Sequence, residues 1–167
     1  VTGVQTCALP IWFYEHERAV LGQRRLAIID VAGGRQPMSN EDGTCWITFN
    51  GEIYNHKSLR ALLEDRGHVF RTSSDTETIL HAYEEFGEAC VDRLEGMFAF
   101  AIHDAKHDTF FAARDRLGKK PFFYTVLDGA LHFASELPAL TQAPLWKGDV
   151  DLTALEGYLS LGYFVAP

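Results

Sequence analysis

The chain is short of cysteine, lacks metal-ligand spacings and long apolar runs, and carries no excess of positive charge. Its three cysteines, Cys7, Cys45 and Cys90, are scattered, with no Cys-x-x-Cys pair. Neither a zinc ribbon nor a disulfide framework is therefore expected. An odd number of isolated thiols suits a reducing compartment, so a cytoplasmic setting is expected. Cys45 and Cys90 read as small buried apolar residues. No apolar run approaches the roughly 20 residues that a membrane-spanning helix needs. Lysine and arginine number 15 against 23 acidic residues, giving a net charge of −8. That balance argues against a nucleic-acid or anionic-membrane partner. Repeats and low-complexity tracts are missing too. The basic turn Arg114–Pro121 lacks the Gly-x-x-x-x-Gly-Lys spacing of a phosphate loop. No metal is expected at His103 and His107, which straddle a turn, or elsewhere.

What is present is ordinary globular composition, 47% hydrophobic and 23% charged over 167 residues. That is enough for one domain with a real core. Residues 1–11 have neither continuing periodicity nor the charged start and apolar middle of a signal peptide. The string matches a one-frame translation of a sequencing-library adapter, so it is expected to be non-native, with Trp12 at the junction. Ala19–Ile29 predicts a strand, and 31–40 a loop. Asp42-Gly43 signals a hairpin that returns Cys45–Phe49 as a strand. His56–Arg66 predicts a helix entered through an Asn55 cap and ended by Gly67. His68–Arg71 predicts a short strand, and Asp75–Phe86 a helix with Ile79, Leu80, Tyr83 and Phe86 on its apolar face. A third, short helix is predicted over Ala89–Leu94. Met97–Ile102 is apolar at every position, so a strand covered on both faces is expected. Thr109–Ala113 should return beside it. Phe122–Leu127 and Leu131–Ala134 flank Asp128-Gly129 as a further hairpin, and Thr153–Leu161 predicts a helix. Antiparallel strands with doubly buried interiors, plus helices, imply stacked layers.

Function is sought first at Phe49-Asn50-Gly51-Glu52-Ile53-Tyr54-Asn55. Gly51 gives the strand end conformational freedom, and its N–H with the Asn50 amide could hold an oxyanion. A plain tight turn is the simpler reading, since Asn-Gly is a common hairpin signal. Yet a helix follows at once, not a returning strand. Arg25 could bind a carboxylate with two parallel hydrogen bonds, while Glu52 and Asp75 could hold an ammonium group. Together these describe a pocket for a free amino acid whose side-chain carbonyl is attacked. Plainer readings stand beside it: Asp75 as a helix N-cap, Arg25 and Glu52 as solvated charges.

Five segments in order carry a resemblance: Gln23–Asp30, Phe49–Asn55, Ser74–Glu77, Leu94–Phe100 and Ala113–Pro121. They resemble the class II glutamine amidotransferase domain of glutamine-hydrolysing asparagine synthetases, from about Phe13 onward. The finer flavour is similar to the asparagine synthetase-like amidotransferases of bacterial exopolysaccharide clusters. The resemblance implies an α+β fold, a four-layer αββα sandwich of two mainly antiparallel sheets of the N-terminal-nucleophile hydrolase type, incomplete at its N-terminus. It implies that Arg25 binds the glutamine α-carboxylate. It also implies that Asn50 and the Gly51 N–H form the oxyanion hole, and that Glu52 and Asp75 hold the substrate amino group. Residues 12–144 would be the glutaminase domain, and 145–167 a linker and the start of a truncated synthetase domain. No cofactor is expected in this segment. ATP and magnesium would belong to a synthetase domain in cis, and a homodimer is left open.

The chain departs from that family where the chemistry starts. The family nucleophile is an N-terminal cysteine followed by glycine, with the α-amino group as proton shuttle, whose pKa of about 8 suits a base. Here Val1 occupies the first position, and Cys7 is internal and followed by alanine. Gln23 stands where many relatives have histidine. The polypeptide as written is therefore expected to lack glutaminase activity. Two alternatives remain: another class II amidotransferase, feeding a sugar phosphate or phosphoribosyl acceptor, and a catalytically silent amino-acid-binding module.

Overall fold

The computed structural model describes residues 11–24 and 34–164, in two compact units, 1–121 and 122–167. The distal half of the strand expected over Ala19–Ile29, with Arg25, lies outside the described residues, as does Cys7.

The first unit is built on a four-stranded antiparallel sheet in the order β3-β4-β5-β6. Its strands are β3 (Met38–Ser39), β4 (Cys45–Ile53), β5 (Gly96–Asp104) and β6 (Thr109–Arg114). Asp42-Gly43 makes the turn into β4 as its sequence signal indicates, with Gly43 at φ 74°. The Asp42 carboxylate accepts from the Thr44 N–H and hydroxyl. β3 occupies two residues of the expected loop.

Alternation sorts β4 and β5 into two faces. Cys45, Ile47, Phe49 and Ile53 of β4 join Phe98, Phe100 and Ile102 of β5 in one apolar core. Against it pack α1 (His56–Glu64), through Leu59 and Leu63, and α2 (Asp75–Phe86), through Ile79, Leu80 and Tyr83. The opposite face meets a hairpin that the sequence reading did not mark at its first strand, β1 (Ile11–His16) with β2 (Ala19–Arg24). Tyr14 stacks on Trp46 at 4.4 Å between centroids, and its hydroxyl pairs with His103 Nδ1 at 3.1 Å. Helices, sheet and hairpin are therefore successive layers. Phe98 through Asp104 are all buried, as an uninterrupted apolar strand requires. The chain is an α+β sandwich with antiparallel sheets.

Three local expectations are corrected. Asn55 does not cap α1 with its side chain. Its amide instead donates to the Arg93 carbonyl at 2.8 Å and accepts from the Glu95 N–H at 3.0 Å, tying the helix entry to the start of β5. His68–Arg71 is not a strand, because its backbone groups are used locally. His68 N–H bonds the Leu63 carbonyl, and Arg71 N–H goes to the Glu77 carboxylate. The helix expected over Ala89–Leu94 is a 3₁₀ segment, Gly87–Arg93.

The second unit holds a two-stranded hairpin, β7 (Phe123–Leu127) and β8 (Ala130–Ala134). Asp128 and Gly129, at φ 50° and 76°, form the turn, in keeping with a hairpin whose two central residues both need positive φ. A short α3 (Leu137–Leu140) follows, then α4 (Leu152–Leu161), which has no buried residue. Among the described residues no helix is long and apolar enough to cross a membrane.

Ile79 is fully buried between α2 and the sheet, whereas Leu117 is 82% exposed. Ile79→Ala should cost about 2–5 kcal/mol through lost transfer energy and a residual cavity. Leu117→Ala should stay within about 0.5 kcal/mol. Urea unfolding of both variants checks the contrast.

Candidate functional site

The end of β4 is shaped by two glycines on adjacent strands. A Cβ on Gly51 would lie 2.1 Å from the Met97 carbonyl oxygen and 2.8 Å from Phe98 Cα. One on Gly96 would lie 2.1 Å from the Glu52 carbonyl oxygen. The ladder pairs Gly51 with Phe98 and Ile53 with Gly96, so both backbones approach where only hydrogen fits. Gly51 has φ 151°. Asn50, Gly51 and Glu52 are half-buried there.

Asp75 reaches the same corner from α2. It is 2% exposed. Its Oδ2 accepts from the Ile53 N–H at 3.1 Å, one residue beyond Glu52. Asp75 is not the N-cap: Ser74 is, with its hydroxyl accepting from the Thr76 N–H at 3.2 Å. As the first helical residue, Asp75 places its carboxylate at the positive end of the helix dipole. Four of the five residues singled out from the sequence, Asn50, Gly51, Glu52 and Asp75, thus gather around one end of one strand. Arg25, the fifth, lies outside the described residues. Gln23, on β2, lies over β4 just before Asn50: it accepts from the Thr48 hydroxyl at 2.5 Å and donates to the Phe49 carbonyl at 3.3 Å.

Several supports went unread in the sequence. Gln36 is 1% exposed. Its amide accepts from the Phe49 N–H at 2.6 Å and donates to the Thr76 hydroxyl at 3.1 Å, bridging β4 to α2. Nothing local in the sequence marks it. Glu77 accepts from the Arg71 N–H, the Thr72 N–H and the Thr72 hydroxyl at 2.7, 2.8 and 2.6 Å. The Ser74-x-x-Glu77 spacing was its available signal, since it matches a capping box, although here the glutamate caps the preceding loop. Burial by itself would raise the Glu77 carboxyl. His81 and those N–H donors outweigh burial and hold it down at about 2.

His81 is 1% exposed and surrounded by acids. Its Nδ1 lies 2.7 Å from Glu84, and its Nε2 lies 3.6 Å from Glu41 and 3.8 Å from Glu77. Burial would depress this imidazole. The Glu77 and Glu84 carboxylates, with the charge of Glu41, overcome it and lift it to about 9.

The thiols are inert by contrast. Cys45 and Cys90 are free and buried. Burial pushes both up to about 12, with Asp104 and Glu84 adding to the effect at Cys45. Neither is a thiolate at neutral pH, so neither can act as a nucleophile there. The corner therefore gathers the half-buried Asn50, Gly51 and Glu52 with the buried Asp75 carboxylate, groups whose chemistry suits a small cationic or zwitterionic molecule, and neither Cys45 nor Cys90 supplies a thiolate.

A family profile described as a glutamine amidotransferase domain matches residues 10–167. Asparagine synthetase (glutamine-hydrolysing) 3 of Bacillus subtilis is 47% identical over 154 residues, covering 91% of this chain and 25% of the relative. Asparagine synthetase (glutamine-hydrolysing) 3 of Arabidopsis thaliana is 50% identical over 135 residues, covering 79% and 23%. The chain spans about a quarter of the length of these relatives. Two solved structures are similar in fold. One is a glutamine phosphoribosylpyrophosphate amidotransferase from B. subtilis, with a TM-score of 0.53 and 29% identity, covering 63% of this chain and 25% of that one. The other is described as the allosteric regulatory enzyme of purine biosynthesis, with a TM-score of 0.58 and 28% identity, covering 72% and 28%.

The raised His81 pKa gives a signed expectation. Protonated His81 stabilises the fold fully below its unfolded value of 6.5, and that contribution disappears as pH rises through about 9. Thermal midpoints should therefore fall between these two values. His81→Asn should be less stable overall and should lose this part of the pH dependence. Calorimetry across that range reads both.

Proposed function

Because this chain belongs to the glutamine amidotransferase domain family, we propose that it is the glutaminase part of an asparagine synthetase-type enzyme. In the longer enzyme glutamine is the substrate, hydrolysed with one water to glutamate and ammonia. In this reading Arg25 pairs with the α-carboxylate, and Glu52 and Asp75 hold the α-amino group. Asn50 and the Gly51 N–H stabilise the oxyanion that forms when the side-chain amide is attacked. The observation that carries it is the Asp75 carboxylate fastened to the Ile53 N–H beside Glu52 and Asn50. A strand acid, Glu52, next to the residue whose N–H holds a helix acid, Asp75, suits an ammonium group. Donors placed where negative charge develops are worth about 10²–10³ in rate.

Ammonia would pass to an ATP- and magnesium-dependent synthetase segment of the longer protein, which amidates aspartate or a related carboxylate. That acceptor is favoured over a phosphoribosyl one by 47% and 50% identity to the two synthetases against 29% and 28% to the two solved structures. Free Cys45 and Cys90 suit a cytoplasmic setting.

Glutamine binding tests the pocket independently of turnover. In calorimetric titration of the 167-residue chain, Glu52→Gln and Asp75→Asn should each weaken L-glutamine binding at least about tenfold, or about 1.4 kcal/mol. Arg25→Ala should do likewise. Affinity unchanged in all three would overturn the assignment.

The same chain should release no glutamate from glutamine, because the thiols of Cys45 and Cys90 are buried and protonated. Turnover that Cys7→Ala abolishes would reverse this expectation.

A further inference from the structure

A second constellation lies on α2 and the segment before it, apart in sequence from Asn50-Gly51-Glu52. One ligating atom from each of His68, His81 and Glu84 lies within 4.8 Å of the others. Glu84 Oε2 sits between two imidazole nitrogens, 2.7 Å from His81 Nδ1 and 3.8 Å from His68 Nδ1. Neighbouring ligands on a tetrahedral ion with metal–nitrogen bonds of about 2.0–2.1 Å stand roughly 3.4 Å apart, and these two separations bracket that spacing.

The outer contacts match as well. A metal-bound imidazole usually turns its other ring nitrogen toward a carboxylate or carbonyl. His68 Nε2 faces Glu85 Oε2 at 3.2 Å. His81 Nε2, a buried atom without a hydrogen-bond partner, faces Glu41 and Glu77 at 3.6 and 3.8 Å. Both rings therefore present Nδ1 to the shared glutamate and Nε2 to other acids. Asn40 donates to Glu84 Oε1 at 2.8 Å, which holds that carboxylate in place. The side chains of His68 and Glu84 remain 17% and 23% exposed, so an ion and its water ligand have a route in.

We propose that His68, His81 and Glu84 form a binding site for a zinc-class divalent cation, completed by water. Two imidazoles and a carboxylate are donors that zinc accepts, whereas calcium and magnesium prefer oxygen alone. The four acids Glu41, Glu77, Glu84 and Glu85 favour a cation between the rings, and that cation is either a proton or a metal. The two compete for His81 Nδ1, so metal uptake releases protons. The ion joins His68, in the segment before α2, to His81 and Glu84 on that helix. Its role is structural, since it is not placed against the proposed glutamine corner. The sequence signal was His81-x-x-Glu84, two donors one helical turn apart.

The test uses tag-free, chelator-treated 167-residue chain titrated with zinc chloride at pH 7.5. The expected result is one tight equivalent per chain, proton release read as a binding enthalpy that varies with the buffer's ionisation enthalpy, and a higher thermal midpoint. Binding should weaken at least about tenfold in His68→Ala and in Glu84→Gln, judged on variants that keep the wild-type circular dichroism. Wild-type chain loaded with cobalt(II) gives a reading that needs no variant: the ring signals of His68 and His81 should shift or broaden before those of the other five histidines. Absence of saturable binding, stoichiometric binding untouched by both substitutions, or first effects at other histidines would each overturn the proposal.

Discussion

The first turn of α2 is the constraint from which the rest of the first unit follows. Two buried carboxylates occupy it, and each is satisfied by backbone donors outside the helix. Asp75 takes the Ile53 N–H at the end of β4, and Glu77 takes the N–H groups of Arg71 and Thr72. Buried charges are costly unless paired and hydrogen-bonded. These contacts therefore fix where the helix begins, where β4 ends, and the path of the chain before the helix. Gln36 adds a third tie, between Phe49 N–H and Thr76.

The same turn explains why these groups gather at that point. β4 must run close to β5 there, which only glycine at positions 51 and 96 permits. Asn50, Gly51 and Glu52, all half-buried, and the buried Asp75 carboxylate then lie at one end of one strand. The apolar core beneath, from Phe49 and Phe98 to Ile79 and Leu80, keeps those groups from moving independently. A rigid strand end is a more exact platform for such groups than a loop.

Charge organisation separates two regions of α2. The Asp75 end is turned toward the strand. One helical turn or more further on, His81 collects Glu41, Glu77 and Glu84 around it. An imidazole among so many acids keeps a positive charge well into the alkaline range. The helix thus carries a cation-holding cluster on the same rigid body as the proposed substrate acids. Cys45 is held protonated chiefly by its burial between strand and helix, with the charges of Asp104 and Glu84 adding to the effect.

Periodicity and turn chemistry made much of this legible. The α2 helix, the doubly buried β5 and the hairpin turns at Asp42-Gly43 and Asp128-Gly129 follow from patterns confined to a few residues. The sequence also marked Asn50, Gly51, Glu52 and Asp75 as one chemical set, because their residue types suit a single substrate. Their meeting was beyond it: Asp75 lies 22 positions from Ile53, and their bond depends on how α2 packs on the sheet. Long-range partners misled the local readings as well. Asn55 left its capping role for Arg93 and Glu95, and the expected strand at His68–Arg71 surrendered an N–H to Glu77. Sequence alone determined which elements form and which residue types could do chemistry, since both rest on neighbours along the chain. Tertiary structure alone decided which buried donor meets which acid, because that choice is made by packing between segments far apart in the chain.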